Sequence, residues 1–509
     1  MDVETAAPAR PRSRTRRIPG ARTCALLAGA LSLLAFPRPG LDRLAWAALV
    51  PGLLIIRSAA TARAAAVRGW WFGAGFLLAA LYWTIPNIGP GLLLVAVVFG
   101  APWAGWGLAA WATLRDPVRP LWALLLVPSA WVVIEYSRSW HALGGPWGLL
   151  GASQWRHPAV LGLAALGGVW LVSFALVACN TALVIALVSR RARFQAVSSL
   201  VLIGTAGPLA YALRGEPPDQ RTLRVALVQP GVIHDPGPRF AAAERITEGL
   251  PAADLVVWGE SSVGFDLDRR TDLTARLRAL TASAELLVNE DARDAGGRIS
   301  KRSLLIGPGG IRGRYVKTRL VPFGEYIPLR PALGWLSAVS EAAGEDRVPG
   351  TGVRVMTTDG VVIGPLVCFE SAFPDLGRAV VRHGAQVLVY QSATSTFQGS
   401  WAPAQHAALA AVRSAETGRP SVQAALTGVS AGYDARGRRL AWLDTDRRGH
   451  VTVTLRVPPA TARTPYDRYG DFVIYVALII CTVAAGRYGY GRLRPSRPYV
   501  ARGRWFRFR

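Results

Sequence analysis

The chain has 509 residues, 51% of them hydrophobic, and a formal net charge of +26; its mean hydropathy is +0.27. Hydropathy gathered into blocks long enough to cross a bilayer argues against a soluble globular protein. The charge argues against nucleic-acid binding, because the excess sits in "RPRSRTRR", in short loops between apolar blocks and in the tail "RLRPSRPYVARGRWFRFR"; no basic patch with interleaved aromatics accompanies it.

From the N-terminus, residues 1–21 read as a basic cytoplasmic segment. Residues 22–213 read as a transmembrane bundle of about seven helices, near 22–36, 43–60, 69–88, 91–114, 120–137, 159–188 and 196–213. The first block is short enough for a signal peptide, but no small-residue cleavage site follows "LLAF", which favours a retained helix. Trp70, Trp71, Trp83 and Trp103 fall at span ends or inside apolar blocks, as membrane anchoring requires. Arginines fix the orientation: Arg57, Arg63 and Arg68, then Arg115 and Arg119, then Arg190, Arg191 and Arg193 fall on one side. The opposite loops are poorer, with Arg38, Arg43, Arg138 and Arg156 as exceptions. The richer side is the cytoplasmic one. This topology places residues 214–468 outside the cytoplasm, residues 469–487 as a last transmembrane helix and residues 488–509 as a basic cytoplasmic tail. About eight spans result.

The segment 214–468 is different material. Apolar runs of strand length ("LRVALVQP", "ADLVVWGE", "AELLVNE", "SLLIGP", "VVIGPLVCFE", "AQVLVYQ", "SVQAAL", "HVTVTL") alternate with helical patterns at 239–250, 271–283, 373–383 and 403–417. Such alternation predicts an α/β domain. Gly307, Gly309 and Gly310 mark a turn and not a phosphate loop, since no helix with Lys-Ser/Thr follows. Four cysteines, without CxxC or a Cys/His cluster, give neither a disulfide framework nor a metal site, and no cofactor is called for. His406, inside a helix candidate, reads as solvated or packed in the core.

Three strand ends carry chemistry: Glu260 in "VVWGESS", Lys317 and Glu325 in "GRYVKTRLVPFGEYIP", and Cys368 in "VVIGPLVCFESAFPD". Taken singly these are a cap, a solvated lysine and a buried thiol. Together they supply what acyl transfer needs. A thiol requires a base, which Glu260 provides, and a tetrahedral intermediate requires positive charge, which Lys317 provides. Glu325 would hold the ammonium. Of the 58 Lys+Arg residues only Lys301 and Lys317 are lysines. A surviving lysine in such a chain marks a compact ammonium that a guanidinium cannot replace, or is a remnant.

The order Glu260, Lys317, Cys368 on strand ends resembles the nitrilase, or carbon–nitrogen hydrolase, superfamily. "KTRLVPFGE", "IEYSRSWHALGGPWGLLGASQ" with Pro146 and Trp147, and "HAALAAVRSAETGRP" with Arg413, Glu416 and Arg419 resemble its membrane-embedded branch, the apolipoprotein N-acyltransferases. The resemblance implies an αββα sandwich, extracytoplasmic, carried on a multi-pass α-helical bundle of the cell membrane. It implies a phospholipid acyl donor, a thioester on Cys368, and an S-diacylglyceryl-cysteine lipoprotein as acceptor. Glu370 matches a further family acid beside the nucleophile, with a structural or a catalytic role, and Phe369 stands where the family has tyrosine. Between Glu325 and Cys368, "LRPALGWLSAVSEAAGED" puts Leu333, Trp335, Leu336 and Val339 on one helical face, as a lid touching membrane lipid or as a surface helix packed on its own domain. Trp258-Gly259-Glu260 replaces the family's Trp-Pro-Glu, and "QSATSTF" at 391–397 replaces Asn-Asp-x-Trp-Phe. Two alternatives therefore stand beside the transferase: a membrane-tethered amidase, and an inactive member that binds lipoproteins.

Overall fold

The computed structural model describes residues 20–215, 221–282, 284–293, 297–338 and 344–493. Its N-terminal part is helical. Among the described residues five helical stretches are long and apolar enough to cross a membrane: Ala62–Ile88, Gly91–Leu114, Pro120–Arg138, Pro158–Val188 and Arg190–Leu213. Ala21–Ala35 and Phe472–Arg487 are shorter apolar helices. The expected span at 43–60 is not one helix: a 3-10 turn, Asp42–Trp46, precedes an eight-residue helix, Val50–Arg57. Pro51 and Gly52 explain the interruption, since proline starts a helix more readily than it continues one.

Small residues let the bundle close tightly. A Cβ on Gly29 would lie 2.0 Å from Phe72 O, and one on Gly75 would lie 1.9 Å from Leu26 O, so Ala21–Leu31 and Ala62–Leu81 cross nearly backbone to backbone. Phe72, Phe76, Trp103, Trp106 and Trp131 fill the centre with ring pairs at 5.1–6.3 Å. Helix Pro158–Val188 is broken at Gly167 and Gly168, where Gly168 has φ +72°.

Twelve strands form the second part: β1 (Arg221–Gln229), β2 (Leu255–Trp258), β3 (Glu285–Arg293), β4 (Ile299–Gly307), β5 (Gly310–Val316), β6 (Met356–Thr358), β7 (Val361–Val367), β8 (Val387–Ser392), β9 (Ser421–Ala425), β10 (Ser430–Tyr433), β11 (Arg439–Leu443) and β12 (Gly449–Val457). They make two six-stranded sheets, ordered β12-β1-β2-β3-β4-β5 and β11-β10-β9-β8-β7-β6. β1, β2 and β3 are parallel, as are β7, β8 and β9. Strand periodicity builds the layers. Val225, Leu227, Leu255, Val257 and Leu287 belong to the core shared with the second sheet. Their neighbours Ala226, Val228, Val256, Trp258 and Leu286 pack instead with Phe240 and Leu273 of the outer helices Pro236–Glu248 and Thr271–Ala279. Gln391 Nε2 donates to Trp258 O at 2.8 Å and ties the sheets together. Helices Pro374–Arg382 and Ala402–Thr417 cover the second sheet, and every residue of the latter is buried. This is the αββα sandwich.

The helical face expected after Glu325 does not form across the described residues. Arg330–Leu333 is a single turn, and Gly334–Ala338, with Leu336, is a 3-10 turn, because Pro331 and Gly334 interrupt the helix. Trp335 is 62% exposed. Val339 lies outside the described residues.

Candidate active site

Parallel sheets gather reactive groups at the carboxyl ends of their strands. Here Glu260 follows β2, Lys317 follows β5 and Cys368 follows β7, and all three arrive at one edge of the sandwich. Lys317 Nζ donates to Glu260 Oε1 at 3.1 Å and contacts Glu325 Oε2 at 2.9 Å and Oε1 at 3.0 Å. Glu325 Oε2 also accepts the Val321 N–H at 3.0 Å, which closes the "RLVPFGE" loop around the ammonium. Lys317 is 1% exposed, and Glu260 and Glu325 are nearly as buried. Charges so buried persist only when paired.

Cys368 opens the 3-10 turn Cys368–Ala372 with φ +49°, a left-handed conformation rare for a side-chain-bearing residue. Its Sγ donates to Ala393 O at 3.8 Å, and the charge of the Glu260 carboxylate acts on it. Backbone strain of this kind collects at functional sites and is held by its surroundings. Here the holding group is Glu370. Its Oε1 accepts Tyr315 Oη at 2.7 Å, Thr318 N–H at 2.8 Å, Thr318 Oγ1 at 2.7 Å and Arg319 N–H at 3.0 Å. Its Oε2 accepts Val367 N–H at 2.7 Å and Tyr315 Oη at 2.8 Å. Glu370 thus joins the end of β5 to the end of β7, and fixes Lys317 relative to Cys368.

The protonation states follow from the packing. Burial pushes the Glu260 carboxyl up, but Lys301 and Lys317 outweigh it and hold the group well below the usual carboxylate range. Burial drives the Lys317 ammonium down, but Glu260 and Glu325 more than offset this and raise it. Burial and then the Glu260 charge push the Cys368 thiol up. At rest the site holds a carboxylate, an ammonium and a neutral thiol. His406, buried beneath the turn with Nε2 3.4 Å from Ser371 Oγ, is pushed down to about 4, first by burial, so its ring is neutral.

The altered loop after β8 is part of the same edge. Glu260 N–H donates to Ser392 O at 3.2 Å, and Leu426 N–H donates to the same oxygen at 2.8 Å. A Cβ on Gly259 would lie 2.0 Å from Leu426 N. The glycine in Trp-Gly-Glu and the loop "QSATSTF" are therefore packed through one carbonyl. Phe369 stacks on Trp147 at 6.4 Å, Trp147 packs on Trp83 at 5.0 Å, and Trp83 packs on Phe397 at 4.8 Å, so aromatic side chains join the turn to the helical bundle. A cleft of about 440 Å³ between bundle and sandwich is lined by Tyr136, Trp140, Trp170, Arg319 and Phe373, but not by Cys368.

Sequence reasoning singled out Lys301 only as a rare residue. Its ammonium stands 3.4 Å from Glu260 Oε1 and 3.1 Å from Asp291 Oδ1. The scarcity of lysine was the available signal, since both lysines meet the same carboxylate. Arg413 donates to Ala372 O at 3.0 Å, Glu416 accepts Val169 N–H at 2.8 Å, and Arg419 donates to the carbonyls of Pro459, Ala460 and Ala462. No group of three or more His, Cys, Asp or Glu side chains with metal-binding geometry occurs among the described residues.

The apolipoprotein N-acyltransferase N-terminal domain model matches residues 28–182, and the carbon–nitrogen hydrolase model matches residues 224–464. The chain is 30% identical to an apolipoprotein N-acyltransferase of Geobacter metallireducens over 91% of this chain and 94% of that one. It is 31% identical to one of Pseudomonas paraeruginosa over 86% and 89%. A CN-hydrolase superfamily protein of Xanthomonas campestris is similar over 49% of this chain and 98% of its own, at 21% identity and a TM-score of 0.39.

Proposed function

Because the chain belongs to the apolipoprotein N-acyltransferase family, an acyltransferase branch of the carbon–nitrogen hydrolases, we propose that it moves an acyl chain from the sn-1 ester of a phospholipid to the α-amine of an S-diacylglyceryl-cysteine lipoprotein. The observation that carries the lipid part of this reading is the contact between nucleophile and bundle: Phe369, next to Cys368, stacks on Trp147 of the bundle's outer loop. Each methylene withdrawn from lipid into water costs about 0.8 kcal/mol. A thiol beside an aromatic wall that continues into membrane helices lets the acyl chain stay in apolar surroundings.

The steps follow from the resting protonation states. Cys368 Sγ attacks the ester carbonyl as its proton passes to Glu260, and the oxyanion forms beside Lys317. One such donor in a water-excluded site contributes about 3 kcal/mol. The C–O bond then breaks, Glu260 returns the proton to the departing lysophospholipid oxygen, and a thioester remains on Cys368. In the second half-reaction the neutral α-amine attacks that thioester. Glu260 takes the amine proton, the C–S bond breaks, and the proton goes back to sulfur. Glu325 holds Lys317 throughout, and Glu370 positions both strand ends. On this reading the sandwich lies outside the cytoplasm, which the arginine-rich loops between the apolar segments support, since such loops stay inside.

The test is an adduct experiment. Purified protein with a phospholipid labelled in its sn-1 chain is expected to form a hydroxylamine-sensitive adduct at Cys368, absent from Cys368→Ala and discharged only by a diacylglyceryl lipopeptide. An adduct that turns over in water alone would show a hydrolase, and no adduct would show an inactive member.

A further inference from the structure

The reaction as described uses one of the chain's two lysines, yet Lys301 stands at the same carboxylate. Its ammonium contacts Glu260 Oε1 at 3.4 Å and Asp291 Oδ1 at 3.1 Å, and donates to Ser261 Oγ. Lys301 is 5% exposed, so these three groups stand in for water. We propose that Lys301 is a positioning residue for Glu260: with Asp291 it pins the Glu260–Ser261 corner and balances the charge of the site, so that the carboxylate is ionised when the thiol attacks. This rests on the reading of Glu260 as the group that takes the Cys368 proton.

The backbone supports the pinning. Ser261 has φ +54°, in the region that favours glycine. It is kept there from both sides, its N–H donating to Asn289 Oδ1 at 2.9 Å and its hydroxyl held by Lys301. Asp291 and Lys301 are direct cross-strand partners on β3 and β4, so the pair is set by sheet register. The Lys317 N–H donates to Lys301 O at 3.0 Å, which joins the two lysines through the main chain.

The charges support the balancing. Lys301, Lys317 and Arg347 are linked to Glu260, Asp291 and Glu325 by ion pairs of 2.9–3.8 Å. Three cations face three anions, and the cluster is neutral at rest. Once Glu260 holds the thiol proton the cluster carries one positive charge, which matches the single negative charge of the oxyanion. Without Lys301 the cluster would be negative at rest and neutral at the intermediate. Glu260 would then protonate more easily, and the oxyanion would meet less opposing charge. Glu260 is faced by Lys301 from β4, Lys317 from the end of β5, Cys368 from its turn and His406 from helix Ala402–Thr417, with Asp291, Glu325, Arg347 and Arg239 acting through the lysines and Asp291.

Alkylation of Cys368 by iodoacetamide in the full-length protein, followed by mass of the Cys368 peptide against pH, reads the carboxylate–thiol pair without a lipid substrate. Lys301→Met is expected to move the acid limb up by about one pH unit or more, the scale of one lost opposite charge. Lys301→Arg, which keeps the charge, is expected to hold the limb within about half a unit. A folded Lys301→Met protein with the wild-type limb overturns the proposal. Should Lys301→Met fail to fold, Asp291→Asn reads the balance with opposite sign. It removes a negative charge, lowers the thiol, and raises alkylation in mild alkali by roughly threefold or more. An unchanged or slower rate there overturns the proposal. If these shifts occur while no phospholipid-derived adduct forms, the transferase reading fails and the role of Lys301 stands.

Discussion

Glu370→Gln changes one atom of a carboxylate that accepts five donor groups, from Tyr315, Thr318 twice, Arg319 and Val367. Whichever way the amide turns, its NH2 meets a donor. Pointing it at Val367 does least harm, since Oε1 then still accepts three of the five groups and shares Tyr315. The orphaned Val367 N–H costs about 1–3 kcal/mol. The four remaining bonds lose their ionic half, about 0.5–1 kcal/mol each before they compensate one another. The sum is about 3–7 kcal/mol, located where β5 and β7 release Lys317 and Cys368. If about 3 kcal/mol of it falls on the turn, Cys368 loses roughly 100-fold in reactivity. The assay is iodoacetamide alkylation of Cys368 beside thermal melting in detergent, with Tyr315→Phe as the milder control, worth about 1 kcal/mol. A Glu370→Gln protein with wild-type alkylation and melting would refute the reasoning.

Lys317→Arg keeps the charge but places a planar fork where two carboxylates grip a compact ammonium at 2.9–3.1 Å, and adduct formation is expected to fall by roughly 100-fold with the fold retained; near-wild-type labelling would remove the argument. The folded-state Glu260 carboxyl is depressed, so the stability it contributes is present above its unfolded value, about 4.3, and is lost as pH falls through the lower folded value. Melting temperature and Cys368 alkylation should therefore hold from neutral pH down to about pH 4, and an acid limb in alkylation centred near neutrality would contradict the charge assignment. Gly259→Ala sets a Cβ 2.0 Å from the Leu426 nitrogen and is expected to destabilise the sandwich by about 2 kcal/mol or more, read as a lower melting temperature.

What was legible in the sequence followed from apolar runs. β1, β2, β3, β4, β7, β8, β9 and β12 are buried on at least one face and read as alternating or continuous hydrophobic segments. β5, "GIRGRYV", was not legible, because it is an edge strand whose Arg312 and Arg314 turn outward to Glu285 and Asp268. β6 has three residues and β10 reads "SAGY", too short or too small to show a period. Hydropathy placed the apolar blocks but averages over backbone breaks, so Pro51-Gly52 and Gly167-Gly168 passed unseen. Glu260 and Cys368 stood out because each follows an apolar strand, and Lys317 because it precedes "RLVPFGE" in a chain with two lysines, since β5 itself carries no apolar run. Lys301 opens β4 in "RISKRS", where local sequence reads as solvated, and only register with Asp291 brings it inward.

The break in helix Pro158–Val188 and the nucleophile turn lie on one hydrogen-bonded path. Where Gly167 and Gly168 leave helical geometry, Val169 N–H has no carbonyl of its own helix to bond. Glu416 accepts that N–H at 2.8 Å, pairs with Arg413 at 2.9 Å, and Arg413 donates to Ala372 O at the end of the turn that Cys368 begins. Gly168 cannot be replaced without disturbance, since a Cβ there would lie 2.6 Å from the Tyr466 ring. A buried ion pair contributes little net stability, yet removing one partner costs about 3–5 kcal/mol. The physical sense of such a pair is registry. It joins a fixed point on the bundle to a fixed point on the turn, and in the proposed reaction that join would matter, because an ester presented from the bundle side reaches the thiol only where the two parts keep their alignment.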